Sequence, residues 1–143
     1  MSCEVRYNEF GRGIYTTKNF KVGETVILNP LLRAFDADTK HLLKTSMYRY
    51  AFEWHDGTLS FALGLGALLN HSEEANVEQS FIGEDGIIFK AIKAIKQGSE
   101  ITLDYEGTPD LAFQPGSRPY PANEPDFVFS EQQIFPRPVK DQL

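Results

Sequence analysis

The sequence predicts a mainly β, compact fold built from short strands with little helix, and three observations carry that expectation. Glycine turn signals recur along the chain, at Gly11, Gly13, Gly23, Gly57, Gly83, Gly86 and Gly98, and separate short runs rich in Val, Ile, Phe and Thr. One stretch alone, residues 36–50, reads as helical. At 143 residues, 41% hydrophobic and 13% aromatic, the chain suffices for one buried core and lacks the composition of a disordered protein.

Taken in order, Glu4–Tyr7 alternates as a strand does. Gly11-Arg12-Gly13 reads as a turn, and Ile14–Thr17 as the strand after it. Phe20–Glu24 is a second turn, feeding a strand at Thr25–Leu28. Within the helical stretch, Leu42, Leu43, Met47 and Tyr50 form the expected inner stripe. A turn follows at His55-Asp56-Gly57. Phe61–Leu69 is apolar, but Gly64 and Gly66 weaken any long helix there. Val77–Ile82, the turn Gly83–Gly86 and Ile87–Ile92 read as a hairpin, and Gly98 precedes a last strand at Ile101–Tyr105. Seven of the eight prolines lie in residues 109–143, which reads as extended chain. Phe113, Tyr120, Phe127, Phe129 and Phe135 in that tail predict that it packs on the body.

Composition also bounds function. No apolar run approaches the roughly 20 residues that span a bilayer, so no membrane role is expected. The first ten residues lack a signal-peptide pattern, and cytoplasmic residence is the expectation, with nucleus or a host compartment as further options. Cys3 is the only cysteine, which excludes an intramolecular disulfide and a cysteine-cluster zinc site. A net charge of −6 argues against direct nucleic-acid binding and suits a cationic partner, or serves solubility alone. HExxH, GxSxG, Walker and dinucleotide-binding motifs are absent. Cys3 has no neighbour that would lower its pKa, so it is a poor nucleophile.

Three signals remain, in order. The first is Gly11-Arg12-Gly13-Ile14-Tyr15, followed by Phe20-x-x-Gly23-Glu24. The second is Leu63–Ser72, containing Asn70-His71-Ser72, then Asn76. The third is Gly98-Ser99-Glu100-Ile101-Thr102-Leu103-Asp104-Tyr105. Each has an ordinary reading: a β-turn, a satisfied buried polar pair, a core or rim aromatic. Together, in this order and spacing, they resemble the SET-domain protein lysine methyltransferases, above all the small viral and bacterial members without cysteine-rich flanks. The resemblance covers residues 4–110, roughly three quarters of the chain.

That resemblance implies a SET-domain, β-clip-like fold of several short sheets with a threaded, knot-like C-terminal segment. Residues 1–110 form the SET domain, and 111–143 a tail that packs on it where relatives carry a zinc-bound post-SET element. The implied cofactor is S-adenosyl-L-methionine, lined by Gly11, Arg12, Gly13, Asn70, His71, Tyr105 and Phe113. No metal is implied. Tyr105 would place its hydroxyl at the methyl-transfer point, Tyr50 would line the lysine channel, and Phe113, with Tyr120 second, would close the pocket. The implied partner is a lysine-containing protein or peptide, histones among them, with a homodimer as a further option. The chain departs from the family at Ala75, where a proline is usual. Leu103 and Gln79 replace aromatic or histidine positions and leave the number of methyl groups added open. Two other readings stand beside the enzyme: an inactive binding module on the same β-clip scaffold, and an acidic assembly protein whose aromatic tail is a binding arm.

Overall fold

The structure is a computed structural model that describes residues 2–8 and 11–105. Nine strands form one hydrogen-bonded sheet among these residues: β1 (Cys3–Asn8), β2 (Gly11–Thr16), β3 (Thr25–Arg33), β4 (Ala51–Glu53), β5 (Leu59–Ala62), β6 (Asn70–His71), β7 (Val77–Ile82), β8 (Gly86–Ala91) and β9 (Glu100–Leu103). Their order is β1-β2-β9-β7-β8-β3-β5-β4, with β6 joined to β9 off the path. Among the described residues the helical elements are α1 (Asp36–Leu42) and two 3-10 turns, Ser46–Tyr50 and Leu65–Leu68. The mainly β architecture with little helix is therefore the one expected. The proposed tail, 111–143, with Phe113 and Tyr120, lies outside the described residues.

The β7–β8 hairpin forms as read, with Val77 opposite Ala91 and Ile82 opposite Gly86. Gly83 takes a φ of 59° in its turn, a conformation that costs glycine little. The first turn falls differently. Gly11-Arg12-Gly13 is not the turn but the opening of β2, and Asn8 pairs with Gly11. Gly11 has a φ of 117°, so a glycine is needed where the strand begins.

β3 runs five residues beyond the expected Leu28. Pro30 lies inside this longer strand, although a proline lacks the N–H that a ladder needs. It sits where β3 changes partner: Thr25–Pro30 pair with β8, and Leu31–Arg33 with β5. The register slips between Thr25 and Ile27, which lets the adjacent Val26 and Ile27 both bury their side chains.

The helical stretch is broken in two. The Thr45 hydroxyl donates to the Leu42 carbonyl and accepts from the Met47 amide, ending α1 and starting the 3-10 turn. The expected inner stripe is corrected accordingly: Met47 is 49% exposed, and Leu42, Leu43 and Tyr50 are only half-buried. The buried residue of α1 is Thr39, whose hydroxyl oxygen accepts from the Leu59 amide and docks the helix on β5.

The core gathers Ile14, Val77, Ile87, Phe89 and Ile101, all essentially without solvent contact. Phe52 meets Phe89 edge-on, with ring centroids 5.8 Å apart. A Cβ on Gly66 would lie 2.3 Å from Phe89 Cε1 and 2.8 Å from Asn29 Oδ1. Gly66 is thus a glycine so that the chain approaching the site can pass over Phe89, and the Asn29 side chain accepts from its amide at 2.9 Å.

Candidate active site

β9 assembles the site. It pairs antiparallel with β2 through Ile14–Ile101 and Tyr15–Glu100, and parallel with β6 through Asn70–Thr102 and His71–Leu103. Val77 of β7 pairs with Leu103 as well. All three sequence signals therefore converge on one short strand, and Asn70, His71 and Tyr105 come together across more than thirty residues, as expected.

Asn70 is buried. Its Nδ2 donates to the Arg12 carbonyl at 2.8 Å and to Glu100 Oε2 at 2.7 Å. Both amide protons are thereby used by acceptors, which leaves Oδ1 as the end that takes a donor from elsewhere. Arg12, also buried, contributes this carbonyl from β2.

His71 is fixed by Tyr105. The Tyr105 backbone N–H donates to His71 Nδ1 at 2.9 Å, and the two rings lie 5.1 Å apart. A backbone N–H can only donate, so Nδ1 carries the lone pair and the imidazole hydrogen is on Nε2. Asp104 Oδ1 lies 3.8 Å from the same nitrogen, but an ion pair there would need a proton that the Tyr105 amide displaces. The pair thus presents an acceptor, Asn70 Oδ1, next to a donor, His71 Nε2–H.

Tyr105 is 3% exposed, and its hydroxyl donates to the Leu69 carbonyl. With its proton committed there, the phenolic oxygen acts as an acceptor toward any other neighbour. Leu103, two residues earlier, belongs to the core cluster. Gln79 is half-buried on β7, opposite Phe89.

Not every expected site residue joins this cluster. Tyr50 ends a 3-10 turn at the start of edge strand β4. Among the described residues no hydrogen bond or ring contact links it to Asn70, His71 or Tyr105. A cavity of about 330 Å³ lies by α1, between Leu32, Phe35, Leu42 and Phe61, and none of the expected site residues among the described ones lines it. Cys3 is buried, and burial pushes its thiol up from the ordinary value, although the N-terminus, contrary to expectation, acts to lower it. Among the described residues no cluster of His, Cys, Asp and Glu could hold a metal ion.

One residue escaped the sequence reading. Glu100 meets Asn70, and a Cβ on Gly13 would lie 2.6 Å from Glu100 Oε2. Gly13 is therefore a glycine to admit this carboxylate. The available signal was a charged residue placed directly before the fully buried Ile101, inside a motif singled out for its tyrosine.

The fold and site define a β-rich domain whose last strand joins a glycine-bearing first hairpin to a buried Asn-His pair. Residues 11–106, more than half the chain, match the family model of the SET domain, and the chain belongs to that family. It is similar to the histone-lysine N-methyltransferase, H3 lysine-37 specific, of Schizosaccharomyces pombe, with 25% identity over 97 residues, 66% of this chain and 66% of that protein. It is also similar to the histone-lysine N-methyltransferase trithorax of Drosophila virilis, with 33% identity over 106 residues, 67% of this chain and 3% of that protein. The chain thus spans just under two thirds of the first relative and a small part of the second. A candidate histone methyltransferase of Plasmodium falciparum shares its fold, with a TM-score of 0.60 at 21% identity, over 73% of this chain and 92% of that one.

Proposed function

We propose that the chain is a protein lysine methyltransferase that uses S-adenosylmethionine and acts on a lysine of a protein substrate, with histones the first class to test. The observation that carries this reading is the pairing of an acceptor, Asn70 Oδ1, with a donor, His71 Nε2–H, beside the buried hydroxyl of Tyr105. The relatives' names support the substrate class.

The donor set fits the cofactor. S-adenosylmethionine has a cationic amino acid end, which suits Asn70 Oδ1, and an adenine with acceptor nitrogens, which suits an imidazole N–H. Bound there, it would supply an electrophilic methyl group on a sulfonium, which a neutral amine can accept without a metal. Gly11, Arg12 and Gly13 would bring backbone groups against it, and Phe113 would close the pocket.

Tyr105 would orient the reacting centre. Because its hydroxyl proton goes to Leu69, its oxygen offers negative charge to an amine N–H and to polarised methyl hydrogens. Tyr50 would line the lysine's approach. The lysine must arrive neutral, which at pH 7.4 costs roughly 4 kcal/mol from a reference pKa near 10.4. A dry aromatic channel reduces that cost by disfavouring the ammonium.

The test has two arms, calorimetric titration with S-adenosylmethionine and transfer of a radiolabelled methyl group to histones and to a mixed protein pool. Binding with transfer to lysine supports the proposal. Binding without transfer to any protein would indicate the inactive module, and no binding would overturn the reading altogether.

A further inference from the structure

The three sequence signals share one contact, the Glu100 carboxylate. It lies on β9, accepts from Asn70 on β6, and occupies the space that a side chain on Gly13 of β2 would need. Its backbone is held as well, since Asn76 Nδ2 donates to the Glu100 carbonyl at 2.8 Å. We propose that Glu100 is a positioning residue that fixes which end of the Asn70 side-chain amide faces the cofactor. This rests on the reading of Asn70 as a cofactor ligand.

An asparagine amide has two ends of nearly equal size, and only its partners decide which way it points. Here the partners decide firmly. A carbonyl oxygen at 2.8 Å and a carboxylate oxygen at 2.7 Å can only accept. Reversing the amide would set Oδ1 against both, exchanging two hydrogen bonds for two repulsive contacts in a buried setting. The Arg12 carbonyl alone would provide one of these bonds. The carboxylate provides the second and stronger one, because its charge assists the bond. Glu100 thereby keeps Oδ1 turned away from the protein's own acceptors. The site then presents an acceptor, selective for a protonated amine, rather than an NH2 group that would repel one. The arrangement also accounts for the glycine at position 13, where a Cβ would lie 2.6 Å from Glu100 Oε2.

The experiment uses the full chain with Glu100→Ala, Glu100→Gln, Asn70→Ala and the Glu100→Ala/Asn70→Ala double variant. S-adenosylmethionine and S-adenosylhomocysteine are titrated by calorimetry, and solvent exchange of the Asn70 side-chain amide protons is followed by NMR in 15N-labelled protein without ligand. Glu100→Ala is expected to weaken both ligands about tenfold, the scale of one charge-assisted hydrogen bond, and to release one Asn70 amide proton to fast exchange. Glu100→Gln keeps an acceptor oxygen in reach and is expected to bind within about threefold of wild type. In the Asn70→Ala background, Glu100→Ala should cost nothing further, because it acts through Asn70. Wild-type binding and full proton protection in Glu100→Ala would overturn the proposal, and so would an equal loss in the Asn70→Ala background. If the unsubstituted protein binds neither ligand, the methyltransferase reading falls and the cofactor-facing direction with it. The exchange data then still decide whether Glu100 locks the amide.

Discussion

Tyr105→Phe separates the packing role of this ring from its chemistry. The ring stays against His71, and the backbone N–H that sets the imidazole tautomer is untouched, so the Asn70–His71 pair should keep its geometry. What is lost is one hydroxyl, 3% exposed as part of Tyr105, together with the hydrogen bond it donates to the carbonyl of Leu69, itself 2% exposed. Losing a buried bond and leaving its acceptor without that donor costs about 1–2 kcal/mol, a fall of roughly 3–8 °C in Tm for a chain of this size. Cofactor affinity should change by less than about threefold, since the proposed contacts to its ends come from other residues. The methyl-transfer rate should fall on the order of a hundredfold, about 2.7 kcal/mol, because the oxygen is proposed to act where charge moves in the transition state. The assay is single-turnover methylation of a lysine substrate by both forms from pH 7 to 9, beside thermal melts and titrations. The rate of the wild type should rise over that range as more of the amine loses its proton. A Tyr105→Phe protein that transfers methyl within about threefold of the wild-type rate would refute the reasoning.

Asn70→Ala should weaken S-adenosylmethionine by about 1–3 kcal/mol in calorimetry, and unchanged affinity in a folded variant would remove Asn70 from the site. Gly66→Ala should destabilise the fold by about 2–3 kcal/mol in urea titration, because its Cβ would press on the fully buried Phe89; a loss under about 0.5 kcal/mol would show that the ring can yield. Burial raises the Cys3 thiol above its ordinary 9.0, so the folded state keeps a proton that the unfolded chain releases. Stability should therefore be fully present below about pH 9 and be lost as pH rises through the folded pKa, and Cys3→Ala should flatten that decline.

What the sequence made legible was local. The β7–β8 hairpin and the turns at Gly57 and Gly98 are written in adjacent residues, and they appear where expected. Motif order was enough to bring Asn70, His71 and Tyr105 together, because parallel pairing of β6 with β9 follows once the fold is identified. Features that rest on a distant partner were not legible. Pro30 looks like a strand breaker until β5 takes over from β8 at that point. Gly11 and Gly13 look like one turn, yet one answers to a positive φ and the other to a carboxylate 87 residues away. The inner stripe over 36–50 failed for a related reason. Periodicity cannot register that one hydroxyl, Thr45, both ends the helix and begins a tighter turn.

Ala75 shows how such distant contacts absorb a local departure. A proline at this position would stiffen the turn before β7 by fixing its φ, and alanine gives up that restraint. Asn76, the next residue, is instead held from four sides. Its amide donates to the Thr102 carbonyl at 3.3 Å, and its carbonyl accepts from Ile92 at 2.9 Å. Its side chain donates to the Glu100 carbonyl at 2.8 Å and accepts from the Thr102 amide at 2.9 Å. Two of the four are made by the side chain to the backbone of β9, so Asn76 stands in for a neighbouring strand where β6 has ended and β7 has barely begun. The same two bonds set the height of Glu100 along β9, and hence its reach to Asn70. Rigidity that a proline would supply through its own ring is supplied here by the strand that carries Glu100 and leads into Tyr105. The turn after the Asn-His pair is therefore held in large part by that same strand.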